Sequence, residues 1–138
     1  SNQFLYIINS NTGSIILKKN FPISINPLII NDILFIVNKK NFLISFDFNK
    51  DEIIYSYNIN KKIADFLKIK RKNADLKNIM MAEGKLLLFL KNSHILVFNT
   101  RGNLEKVNKL PSKMNTFPIL IENKILFLDK KNKLTIVN

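Results

Sequence analysis

ILFIVNKKNFLISFD, residues 33–47, is the stretch from which the fold of this chain is read. It holds an apolar run, a polar turn of about four residues, a second apolar run and a closing Asp47. β-Branched and aromatic side chains suit a pleated sheet, and Asn suits the turn, so the stretch predicts an antiparallel hairpin. The pattern recurs without a gap as KLLLFLKNSHILVFN (85–99) and KILFLDKKNKLTIVN (124–138), closing on Asn99 and Asn138. A fourth copy is partial. FLYIIN (4–9) matches FLISFD (42–47), and SIILKKNF (14–21) matches EIIYSYNI (52–59).

Matching positions in these copies stand 38, 52 and 39 residues apart. A period near forty residues with several short strands per period is the pattern of β-propeller blades. The longest step is one period plus an insertion of about 13 residues. Each period reads as four strands. The first is PLII (27–30), IMMA (79–82) and PILI (118–121). Pro27 and Pro118 share the column at the strand start, where a missing N–H is tolerated. The second strand spans 33–38, 85–90 and 124–129, and the third 42–47, 94–99 and 133–137. The fourth spans 14–19, 52–57 and about 104–108. Asn31-Asp32, Glu83-Gly84 and Glu122-Asn123 suit tight hairpins. Asn-Thr-Gly at 11–13 and Arg-Gly-Asn at 101–103 join third strands to fourth.

The second strands are apolar at nearly every residue, as in Leu34-Phe35-Ile36-Val37 and Leu86-Leu87-Leu88-Phe89. Such strands are buried on both faces, as in a blade packed between two neighbours. An open sandwich would alternate more cleanly. A parallel α/β sheet would need crossover helices, for which most gaps are too short. The expectation is an all-β chain: about three four-stranded antiparallel blades, forming a single partial β-propeller domain over 1–138 with a basic insertion at 60–76. Two blades, 27–57 and 77–108, are complete and partial ones flank them. About three blades do not close a ring, so either the parent protein is longer or copies self-associate.

Composition narrows the function. The net charge is +12, but only Arg71 and Arg101 are arginines, against twenty lysines. Asn and Ile number 21 and 22, and Lys, Asn and Ile share A·T-rich codons. Readers of bases rely on the guanidinium fork, so the charge reads as a solvated lysine surface and no nucleic-acid partner is expected. No window holds the apolar run of about eighteen residues that a membrane helix needs. The opening Ser1-Asn2-Gln3 carries no secretory signal, and Ser1-Asn2 reads as a cloning remnant. Cysteine is absent, which removes disulfides, thiolate metal sites and a cysteine nucleophile.

The recurring strand, Asn-Lys-Lys-Asn turn, Phe-Leu-Ile-Ser-Phe-Asp strand and following Ile-Ile-Tyr strand resemble the PQQ-like propeller repeat, with FLYIINSNTG (4–13) the nearest copy. The Lys-rich insert at 60–76, followed by two periods ending on KKNKLTIV (130–137), is similar to the C-terminal blades of BamB-like outer-membrane assembly lipoproteins. The usual Trp is missing; Leu17, Tyr55 and Val107 sit near its column, and Asn or Lys replaces most turn glycines. The resemblance implies a non-catalytic protein-binding scaffold on the periplasmic side of the outer membrane. It also implies a parent lipid anchor as the only membrane attachment, and the insertase BamA as partner. The alternatives are a ligand- or partner-sensing propeller domain of another exported protein, or a fragment of a quinoprotein dehydrogenase. The last would need a Trp platform and usually paired cysteines to hold PQQ. This chain has neither, so no cofactor and no enzymatic activity are expected.

Chemistry-bearing residues are few. His94 is the only histidine and shares a column with Phe42 and Lys133, which suits a semi-exposed structural position. Asp47, Asn49 and Asp51 open like a calcium loop, but Glu52 stands at the glycine position and Asn58 where the bidentate Glu belongs. A hairpin turn explains them better. Glycine occurs only at 13, 84 and 102, so no phosphate loop exists, and no carboxylate pair stands out. The insertion remains. In KKIADFLKIKRK (61–72), Ile63, Phe66, Leu67 and the stem of Lys70 share one helical face and the other is basic. A short helix or rim loop there, offering Lys61, Lys62, Phe66, Lys68, Lys70, Arg71 and Lys72 to a partner, is the candidate site. The bland reading is a solvated insertion whose apolar residues tuck onto a blade.

Overall fold

The computed structural model describes residues 3–138, so the reading of Ser1-Asn2 lies outside the described residues. The chain divides into two compact units, one ending at Asn58 and one running from Ile59 to Asn138.

The first unit holds two antiparallel sheets. Strands β1 (Phe4–Ile8) and β2 (Ile15–Asn20) form one; β3 (Leu28–Ile30), β4 (Ile33–Val37), β5 (Phe42–Asp47) and β6 (Glu52–Asn58) form the other, in chain order. They share a core of Leu34, Ile36, Ile44 and Phe46, against which Leu5, Leu17 and Phe21 pack. Phe21 meets Phe46 edge-on at 5.4 Å.

The second unit begins with helix α1 (Ile59–Leu67). Strands β7 (Leu76–Ala82), β8 (Lys85–Leu90), β9 (His94–Asn99) and β10 (Leu104–Lys109) follow as a four-stranded sheet. Strands β11 (Ile119–Ile121), β12 (Lys124–Leu128) and β13 (Leu134–Val137) make a three-stranded one. Leu87, Phe89 and Ile95 pack against Leu110, Met114 and Phe127 to form its core. The predicted hairpins are present, and the four antiparallel sheets are those of a partial β-propeller.

The repeat extends to details that apolar periodicity does not carry. Pairing slips by one residue between third and fourth strands in three sheets, leaving Ile16, Ile54 and Glu105 as the extra residue. A bulge at one fixed place increases the twist of each outer strand. The residues that close the first three of the third strands act as side-chain acceptors. Asn9 Oδ1 takes N–H bonds from Asn11 and Thr12, Asp47 Oδ1 from Asn49 and Lys50, and Asn99 Oδ1 from Arg101 and Asn103, all at 2.9–3.1 Å. Asn38 and Asp129 do the same between second and third strands. Such Asx turns build a corner from one oxygen, and Asn tolerates the left-handed backbone that follows. Asn31, Asn41 and Asn132 have positive φ, at 52°, 58° and 57°. At Glu83-Gly84 both residues do, as a type I′ turn requires.

Some boundaries differ from expectation. Pro27 and Pro118 stand just before β3 and β11 rather than inside them. Strand β7 starts at Leu76, not Ile79, because Leu76 is buried and pairs with Leu90 across a second bulge. Strand β4 and β8 side chains are buried on both faces as predicted, whereas β12 is largely half-exposed.

Candidate functional site

The insertion folds as helix α1 followed by an irregular return through residues 68–75. Its ends are tied by one side chain. Asn60, 7% exposed, donates from Nδ2 to Asn73 Oδ1 at 3.0 Å, and its Oδ1 accepts the Ala74 N–H at 2.8 Å. Ile59, fully buried, anchors the first turn. The helix stops where Lys68 takes a left-handed φ of 52° and the Ile69 N–H reaches the Ala64 carbonyl at 3.1 Å. A left-handed residue after the last turn is a common helix stop.

The predicted site residues separate into groups. Ile63 and Leu67, four residues apart, line a groove of about 150 Å³ with Ile69 and Lys72. Its other wall belongs to the β7–β10 sheet: Leu90, His94, Leu96 and Val107. Phe66 does not join this lining; it is 45% exposed on the outer side of α1. Lys62 reaches Asn103 Oδ1 at 3.5 Å, which lays α1 along the β9–β10 corner. Lys61, Lys68, Lys70, Arg71 and Lys72 are exposed. The sequence reading missed Asn60 and Ile69. A buried amide carries no periodic signal, and Ile69 falls off the helical face of Ile63, Phe66, Leu67 and Lys70; it reaches the groove because the chain leaves the helix at Lys68. His94 is half-exposed with Nδ1 near the Asn92 carbonyl at 3.1 Å, and it forms part of the groove wall.

A larger cleft of about 440 Å³ lies between the β7–β10 and β11–β13 sheets, lined in part by Glu105, Lys106, Glu122, Ile125 and Asn138. Glu105 is engaged by Lys85 at 2.7 Å, and that hydrogen bond holds its carboxyl below the usual range. A carboxylate held ionised by a cation is a poor proton shuttle near neutrality. Among the described residues no three His, Asp or Glu side chains are grouped to hold a metal ion. The Asp47 oxygen that would open a calcium loop is committed to the turn. No described helix is long and apolar enough to cross a membrane.

No family model matches the sequence, and no curated protein is detectably similar to it. Solved structures do match. BamB from Moraxella catarrhalis superposes over 96% of this chain with a TM-score of 0.70 at 11% identity. Quinohemoprotein alcohol dehydrogenases from Comamonas testosteroni and Pseudomonas putida HK5 match 78% and 79% of it, each with a TM-score of 0.52 at 9% identity. The fold is that of consecutive β-propeller blades, as in these structures. At these identities the likeness speaks of fold alone. The chain spans 37% of that BamB and 17% of each dehydrogenase.

Proposed function

We propose that this chain is part of a non-catalytic, BamB-like scaffold that docks protein partners on the periplasmic side of the outer membrane. The parent would be held there by a lipid anchor. The observation that carries this reading is the correspondence of fold with BamB across 96% of the chain. The docking face is the insertion, with Lys61, Lys62, Phe66, Lys68, Lys70, Arg71 and Lys72. A loop fixed at both ends on a rigid sheet presents charge and an aromatic ring at little entropic cost. The partner is the periplasmic part of the insertase BamA. Surface plasmon resonance with those purified domains tests this. Saturable binding that weakens at least about tenfold in a Lys61→Ala, Lys62→Ala, Phe66→Ala variant is expected. No saturation by ~1 mM rules out BamA as the partner.

A fragment of a quinoprotein dehydrogenase is the second reading, favoured by the two dehydrogenase structures. The absence of Trp and Cys weighs against it. Saturable uptake of PQQ with calcium, followed by absorbance, would reverse the order of the two.

A further inference from the structure

We infer that the groove beneath the insertion receives one apolar side chain from an extended acidic peptide segment of a protein partner. This rests on the protein-docking reading above and gives the partner's chemistry. The groove of about 150 Å³ is the size that takes a benzene-sized group. Ile63, Leu67, Ile69, Leu90, Leu96 and Val107 make its lining mostly apolar. Leu67 and Ile69 are 43% and 47% exposed at its mouth, an apolar cost that an incoming side chain would relieve.

Charge fixes the rest of the ligand. Lys68, Lys70, Arg71 and Lys72 follow the helix in one exposed run, with Lys72 on the groove itself. Among the described residues none of these four is in an ion pair, whereas nearby Asp75 is taken by Lys91 at 2.9 Å. Four uncompensated cations beside an apolar slot repel a basic ligand and steer an acidic one. A lipid acyl chain needs several times the volume of this groove, so a peptide side chain is the better fit. The Asn60 clamp keeps the cation-bearing return beside the slot before any ligand arrives.

Fluorescence anisotropy tests this with a dye-labelled peptide, Asp-Glu-Asp-Phe-Asp-Glu-Asp. Two twins accompany it, one with Ala for Phe and one with Asn and Gln for the acids. The chain is used unaltered, as Lys70→Glu, Arg71→Glu, Lys72→Glu, and as Ala74→Leu, which narrows the slot because Ala74 also lines it. Circular dichroism checks folding, and the charge variant, all of whose changes are exposed, decides if Ala74→Leu fails to fold. Saturable binding of the first peptide is expected. Each twin and the charge variant should bind about tenfold more weakly or worse. Equal affinity for the Ala twin, an unchanged charge variant, or no binding by ~1 mM overturns the inference. So does binding of phosphatidylglycerol vesicles without binding of the peptide. BamA domains that bind the unaltered chain and the charge variant equally would overturn the groove while leaving the scaffold standing. Peptide binding without BamA binding would do the reverse to the partner named above.

Discussion

Asn60 is the residue on which the candidate site depends most. It is nearly buried and meets two groups thirteen and fourteen residues away, so losing its amide frees both ends of the insertion. Asn60→Ala removes the oxygen that accepts the Ala74 N–H and the amide that reaches Asn73, and a cost of about 1–2 kcal/mol is expected. Hydrogen exchange across 68–75 should rise far more than exchange in β8, and equal change in both would argue for a merely global effect. Tyr55, in the fourth strand of its sheet, is stacked on Tyr57 at 5.0 Å. Burial first, then Tyr57, pushes its hydroxyl up to about 12, with Ser45 across the sheet offsetting part of the shift. The ordinary value is 10.0, so the folded chain holds this proton more tightly than the unfolded one. The stability linked to it is complete below pH 10 and is lost as pH rises through about 12. Urea midpoints should therefore fall less steeply across that window in Tyr55→Phe than in the unaltered chain. Identical slopes would remove Tyr55 from the account. Neither residue announced its role in the sequence, because a buried polar contact depends on what the fold brings near it.

Strands were legible where apolar runs and turn residues agree. The hairpin of residues 33–47 and its two copies formed in register, since both runs are long and a one-residue slip would turn core side chains to water. Boundaries were less legible at Leu76 and at the two prolines, where a bulge and a missing N–H decide the last pairing. The insertion left helix and loop open, and the structure uses both in sequence. Burial separates strands that look alike on paper. Leu88 in β8 is fully buried, and Ile136 in β13 is 55% exposed, although both lie in apolar runs. Leu88→Ala should cost about 3 kcal/mol. Ile136→Ala should stay within about 0.5 kcal/mol. Chemical denaturation of the two variants measures the difference, and comparable losses would mean that β13 is covered in solution.

At the level of the whole molecule, two sheets are incomplete. Among the described residues, β1 has no neighbour on the side away from β2, and β13 none on the side away from β12. Phe4, Tyr6 and Ile8 in β1, and Leu134 and Ile136 in β13, are each at least 43% exposed. Open strand edges beside exposed apolar side chains favour pairing between chains. Self-association at micromolar concentration is expected. A strictly monomeric mass by multi-angle light scattering over that range would count against it. The propeller class was readable from the sequence because stacking each repeat on the next is how such units hide their apolar strands.

The Asx corners have a consequence for ancestry. Each is held by an acceptor oxygen at one position, which Asn and Asp supply equally. Descendants can therefore exchange these two, and shed the glycines that mark the repeat elsewhere, without altering the path of the backbone. A lineage drifting toward adenine- and thymine-rich codons can thus rewrite its blades letter by letter while their geometry persists.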